Sequence, residues 1–170
     1  MKQLVLDIRP DAPPTLENFV AGANAELVAT VSLLASPAIR NLKHRYQDGV
    51  DTVWRANQVV DVPRLVDDLF TTDIEFVAPI DDAGTMVTVN GAAAMVQFLT
   101  DHHRRVRFSM HFVANDLLEL SGDEATGQWS VLAPGSGDSG SSWYAARYVE
   151  RYRRTPKGWR MIASASMPAW

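Results

Sequence analysis

The stretch S-P-A-I-R-N-L-K-H-R-Y-Q-D-G-V-D, residues 36–51, reads as a helix that buries one face and aims polar groups into a pocket. Ser36 suits an N-cap, and Pro37 fits the first helical position, where a missing N–H does no harm. Ile39, Leu42, Tyr46, Val50 and Val53 recur at helical spacing. Tyr46 and Asp51 lie about 140° apart around a helix of 3.6 residues per turn, so they can flank one cavity rather than stack on one line. A phenol and a carboxylate at a cavity wall are groups that move protons.

On the N-terminal side of this helix the chain reads differently. Gln3 to Ile8 alternate like a short extended segment, and Pro10, Pro13 and Pro14 interrupt regular structure. Ala23 to Ala35 reads as a helix with Leu27, Val28, Val31 and Leu34 on its apolar side. Ser36-Pro37 is expected to separate it from the next helix, because a residue before proline is biased out of the helical region. Residues 1–35 therefore read as an extension and residues 36–170 as the domain.

Beyond residue 51 the pattern is helix, strand, strand, helix, then strands. Asp61 to Phe70 reads as a short helix capped by Asp61. Asp73 to Ala78 and Thr85 to Val89 read as strands, Asn90-Gly91 as a turn, and Ala92 to Arg105 as a third helix. Strands are expected over Arg107 to Leu120, Glu124 to Ala133, Trp143 to Arg153 and Trp159 to Ser166, with Gly135 to Ser142 as a flexible loop. Helices followed by antiparallel strands is an α+β order. The expected architecture is a cone-shaped α+β barrel, in which a curved, mostly antiparallel sheet wraps three helices around a hollow. Such a hollow is a small-molecule site.

Composition narrows the classes. With 46% hydrophobic and 21% charged residues in 170, the chain can build a core. A net charge of −4 gives no reason to expect nucleic-acid binding, even though R-Y-V-E-R-Y-R-R mixes basic and aromatic residues. No cysteine is present, which rules out disulfides and thiolate nucleophiles and is compatible with a reducing cytoplasm, where we expect the protein. No apolar run approaches the ~20 residues that span a bilayer. The histidines do not show the spacing of three convergent ligands, so no metal is expected.

Four segments carry a resemblance: A-I-R-N-L-K-H-R-Y-Q-D-G-V-D, L-V-D-D-L-F-T-T-D-I-E-F, H-F-V-A-N-D with G-D-E-A-T-G-Q-W-S-V-L-A-P, and W-Y-A-A-R-Y-V-E-R-Y-R-R-T-P-K-G-W-R. In this order they resemble the SnoaL-like branch of the nuclear transport factor 2-like superfamily over residues 36–167. That family includes cofactor-free dehydratases, cyclases and isomerase relatives, as well as binding and assembly modules. The first residues, Q-L-V-L-D-I-R-P-D-A-P-P-T-L-E-N-F-V-A-G-A-N-A-E-L, are similar instead to the start of the DnaA-related regulator Hda. There the Q-L-x-L stretch docks on the sliding clamp. No G-x-x-x-x-G-K-[ST] phosphate cradle follows here, so no ATPase is implied.

The candidate residues follow from both readings. His111, in a strand predicted to carry Arg107, Ser109, Val113 and Asn115 on the same face, can exchange a proton near neutral pH. In the dehydratase-like relatives the matching histidine is the proposed acid or base. Tyr46 and Asp51 match the Y-x-x-x-x-D of those relatives, in which the tyrosine polarises a carbonyl and the aspartate assists the base. Trp54, Trp129, Trp143, Asn115 and Arg147 are expected to contact substrate. The resemblance implies a hydrophobic, cyclic small molecule, no cofactor, and a homodimer. Tyr144, Tyr148 and Tyr152 alternate along one strand face and suit the dimer contact. Three functions stay open at this point: a lyase or isomerase acting beside a carbonyl, a non-catalytic ligand-binding or assembly domain, and a clamp-docking adaptor working through Gln3 to Ile8.

Overall fold

The curved sheet is built by strands that alternate buried and exposed residues, and the helices fill its concave side. The computed structural model describes residues 25–51, 60–80, 84–137 and 140–168, with side chains from Ala35 onward. The extension through residue 24, including Gln3 to Ile8, and Trp54 lie outside the described residues. Helix α1 spans Ala25–Val50, α2 Val62–Leu69 and α3 Ala92–Arg105. The strands are β1 (Phe70–Pro79), β2 (Met86–Asn90), β3 (Val106–Ser109), β4 (Phe112–Ser121), β5 (Glu124–Gly137), β6 (Gly140–Thr155) and β7 (Gly158–Pro168).

The expected break at Ser36-Pro37 does not occur, and α1 runs through Pro37. Proline withholds one N–H from the ladder but its fixed φ is helical, so the chain passes through. The other helix ends follow their signals. Asp61 accepts a hydrogen bond from the Arg64 N–H at 3.1 Å and caps α2. Gly91, with φ of 83°, turns the chain into α3 while its N–H donates to the Ile74 carbonyl at 2.7 Å.

The sheet order is β2-β1-β7-β6-β5-β3, with β4 pairing along the other end of β5. β1 runs parallel to β7, and the remaining pairs are antiparallel. Two expectations on this sheet are corrected. The strand expected over Arg107 to Leu120 divides at Met110-His111, because β3 and β4 take different stretches of β5 and the Met110 N–H reaches the Pro134 carbonyl at 3.2 Å. The Gly/Ser stretch expected as a loop instead extends β5 and β6, which pair as far as Gly137 and Gly140. Glycine has a steric reason here: a Cβ on Gly137 would stand 3.0 Å from the Arg105 carbonyl oxygen.

Ile39, Leu42, Tyr46 and Val50 of α1 are buried against Leu69, Ile74, Met95, Leu99, Trp129, Tyr152 and Met161. On β6 the even-numbered residues face this core: Glu150 and Tyr152 have no exposed surface, and Tyr148 packs against the cluster. The three tyrosines expected at a subunit contact therefore point inward. The convex face carries the odd-numbered residues, with Trp143 66% exposed beside Phe112, Leu132, Val149 and Met167.

Candidate active site

A cavity of about 560 Å³ opens between α1, α3 and the curved end of the sheet. Its apolar wall includes Val50, Phe76, Phe98 and Leu99, and its polar groups include Tyr46, His102, Arg105, His111, Tyr144 and Tyr148. Each element delivers its contribution through its own period: α1 one residue per turn, β6 every second residue.

Asp51 ends α1, its N–H still bonded to the Gln47 carbonyl at 2.8 Å, and its carboxylate is buried. The break between β3 and β4 turns His111 toward it. One carboxylate oxygen lies 2.5 Å from His111 Nδ1, and the two oxygens accept the His111 backbone N–H at 3.1 and 2.9 Å. A proton on Nδ1 shared with the carboxylate fixes the tautomer with the Nε2 lone pair outward, an assignment made from the contact geometry. The His111 hydrogen bonds to described residues run through its backbone N–H and Nδ1 and none through Nε2, and the ring lines the cavity. Ser109 Oγ, two residues earlier on the inner face, donates to the Val50 carbonyl at 3.3 Å and fastens β3 to the end of α1.

Tyr46, on the buried face of α1, also lines the cavity. Its ring meets Phe70 and Phe76 edge-on, at 5.6 and 6.3 Å between centroids. Burial first, then the negative charges of Glu150 and Asp51, hold its phenol well above the ordinary range. Tyr46 is therefore a neutral donor at physiological pH and not a base. His102, on the last turn of α3, is shifted the other way, down to about 4, by burial and by the positive charge of His103, His111 and Arg105. It is a neutral imidazole in the wall.

Behind the aromatic wall lies a sealed ion pair. Lys43 Nζ meets Glu150 Oε1 at 2.5 Å, and neither side chain has exposed surface. Glu150 also accepts from the Tyr152 hydroxyl and from Ser164 Oγ at 3.2 Å. Trp129 Nε1 donates to the Tyr152 hydroxyl at 3.0 Å. Burial lowers the Lys43 pKa, against the raising effect of Glu150. Nothing in the composition of the helix announced this pair. The signal available was position: Lys43 lies four residues after Ile39 and three before Tyr46, on the buried stripe.

The structure thus brings Tyr46 and His111 to the wall of one cavity, with Asp51 bonded to His111 but not part of that wall. Of the expected substrate contacts, Trp54 lies outside the described residues and the other four do not line the cavity. Trp129 is core, 2% exposed. Trp143 and Arg147 are odd-numbered residues of β6 and project from the convex face, where Arg147 donates to Gln128 Oε1 at 3.1 Å. Asn115 has a positive φ of 53° in the irregular stretch between Ala114 and Leu117, which turns it out to solvent. Cavity residues missing from the sequence reading are Tyr144, Tyr148, Phe98 and His102. Among the described residues no three His, Asp or Glu side chains converge as metal ligands. No helix there is long and apolar enough to cross a membrane.

The model of the SnoaL-like domain family matches residues 31–164. This chain belongs to the SnoaL-like domain family. Its cone of helices and curled sheet is the NTF2-like fold. A crystal structure from Novosphingobium aromaticivorans, provisionally assigned as an aromatic ring hydroxylase, is 26% identical with a TM-score of 0.69, covering 81% of this chain and 91% of that one. A type 2 hexachlorocyclohexane dehydrochlorinase (LinA) is 23% identical with a TM-score of 0.67, covering 82% and 88%. A protein from N. aromaticivorans provisionally assigned as a scytalone dehydratase is 16% identical with a TM-score of 0.69, covering 84% and 89%. No functionally curated protein matches the chain.

Proposed function

We propose that this SnoaL-like protein is a lyase or isomerase that removes a proton beside a carbonyl of a hydrophobic cyclic substrate. The observation that carries the reading is the Asp51–His111 contact at the cavity wall, with His111 Nε2 left without a partner among the described residues. Nε2 takes the proton from the carbon next to the carbonyl. The C–H electrons move into the carbonyl group, and Tyr46 donates its phenolic hydrogen bond to the oxygen that gains charge. Asp51 holds the ring and stabilises the imidazolium. In a dehydration, the enolate electrons expel the β-hydroxyl, which leaves as water with the proton returned by His111. In an isomerisation, the same proton goes back to a different carbon.

The cavity supports a ring-bearing substrate: its volume of about 560 Å³ and walls of Phe76, Phe98 and Leu99 suit apolar bulk. Two structural relatives are named for eliminations, of water and of hydrogen chloride, and the third for an aromatic ring substrate. The test is to incubate wild type and His111→Ala with a panel of β-hydroxy cyclic ketones and follow product mass and chromatographic mobility. Loss of water by wild type but not by the variant supports dehydration, and an unchanged mass with a new mobility supports isomerisation. Binding without any product would replace this reading with a ligand-binding module.

A further inference from the structure

The cavity holds a phenol that the proposed reaction does not use. Tyr46 and Tyr148 both line it, one from α1 and one from β6. Their surroundings differ from those of the neighbouring tyrosines. Tyr144 bonds Ser166 through its hydroxyl, and Tyr152 bonds both Glu150 and Trp129. The hydroxyl hydrogen bonds among the described tyrosines are those of Tyr144 and Tyr152, whereas Tyr46 and Tyr148 make none to a described residue and both line the cavity. A phenol withdrawn from bulk water costs free energy until its hydroxyl finds a partner, and the cavity is where such a partner can enter.

The two rings are also held close together. The Lys43 ammonium lies under both, 5.2 Å from the Tyr46 centroid and 4.2 Å from the Tyr148 centroid. That cation is fixed by Glu150, so one buried ion pair locates both rings. Both rings line the same cavity as His111. Both are held in the protonated form by burial, so both can donate and neither serves as a base.

We propose that Tyr148 is a second substrate-binding group and that Tyr46 and Tyr148 donate together to one oxygen of the ligand, forming a two-phenol clamp at the inner end of the cavity. The substrate class narrows accordingly. The ligand enters carbonyl first, with a single carbonyl or enolate oxygen at the clamp and its rings toward the mouth. Two donors aimed at one oxygen favour the state in which that oxygen carries charge. In this form the inference rests on the reaction proposed above, but the clamp itself is read by binding alone.

The experiment measures the affinities of 2-naphthol, which carries one oxygen, and of naphthalene, which carries none. The proteins are wild type, Tyr46→Phe, Tyr148→Phe and the double variant. Phenylalanine keeps the ring, its packing and its contact with Lys43. Wild type is expected to bind 2-naphthol about tenfold more tightly than naphthalene. Each single variant should lose about 3- to 10-fold for 2-naphthol, the size of one hydrogen bond, with naphthalene unchanged. Because the probe has one oxygen, loss in both variants places both hydroxyls on it. An unchanged 2-naphthol affinity in Tyr148→Phe overturns the assignment. So does an equal loss for naphthalene, which marks a packing role, or a wild type that does not prefer the naphthol. If the naphthol pattern holds while no β-hydroxy ketone is converted, the clamp stands and the lyase reading falls. If conversion survives with no naphthol pattern, the clamp falls and the lyase reading stands.

Discussion

Two acid–base pairs join α1 to the strands that follow it, and they have opposite surroundings. Lys43–Glu150 and Asp51–His111 are each closed at 2.5 Å, and their α1 members are eight residues apart. At the first pair every neighbour is occupied: Glu150 takes Lys43, Tyr152 and Ser164, and no surface is exposed. At the second, Asp51 is saturated by His111 alone, while the far side of the imidazole faces a cavity. The same chemistry thus forms a strut where its hydrogen-bonding capacity is filled and, under the proposed function, a reactive group where one atom is left over. What separates the two is the open nitrogen, not the charge or the contact distance.

The largest effect is expected at the sealed pair. Lys43→Met leaves a carboxylate buried without its cation and should cost about 3–5 kcal/mol of unfolding free energy in a urea titration. Lys43→Met combined with Glu150→Leu should recover most of it. A single variant that loses under about 1 kcal/mol would break the comparison. At the open pair the expectation reverses. Asp51→Asn should slow turnover about 10²- to 10⁴-fold on any substrate found, while unfolding free energy moves by no more than about 2 kcal/mol.

His102 tests a third arrangement, a buried base with no carboxylate facing it as Asp51 faces His111. Its folded pKa of about 4 lies below the ordinary 6.5. Between those values the unfolded chain binds a proton that the folded chain refuses, so folding weakens as the pH falls through that window. The slope is about 1.4 kcal/mol per pH unit at its steepest, roughly 3 kcal/mol in all. The difference between wild type and His102→Leu across pH 4 to 7 should carry this slope, and parallel curves would refute it. The smallest effect belongs to the convex face. Trp143→Ser, at a side chain 66% exposed, should change unfolding free energy by less than about 0.5 kcal/mol.

What was legible one residue at a time is a placement: the five-residue spacing sets Tyr46 and Asp51 about 140° apart, and in the structure Tyr46 and His111 line one cavity while Asp51 bonds His111. The strand β6 was not legible in the same way. Its two faces, Tyr144–Ala146–Tyr148–Glu150–Tyr152 and Trp143–Ala145–Arg147–Val149–Arg151, are both amphipathic, so alternation by itself does not say which turns inward. The expectation with the odd-numbered face inward places the tyrosines at a subunit contact and Trp143 and Arg147 in the cavity, and the structure has the even-numbered face inward. Asn115 was misplaced for a different reason: an irregular residue in β4 resets the alternation, and a bulge leaves little trace in sequence.

The sequence by itself determined the class of fold, the type of most of its elements and the spacing of a phenol and a carboxylate along one stretch of chain, since those depend on local periods and caps. Only the tertiary structure decided which strand face lines the cavity, that Lys43 is answered by Glu150 across 107 residues, and that His111 turns onto Asp51. The physical reason is that strand orientation and ion pairing are set by what the rest of the chain brings opposite, and that partner is absent from any local window of sequence.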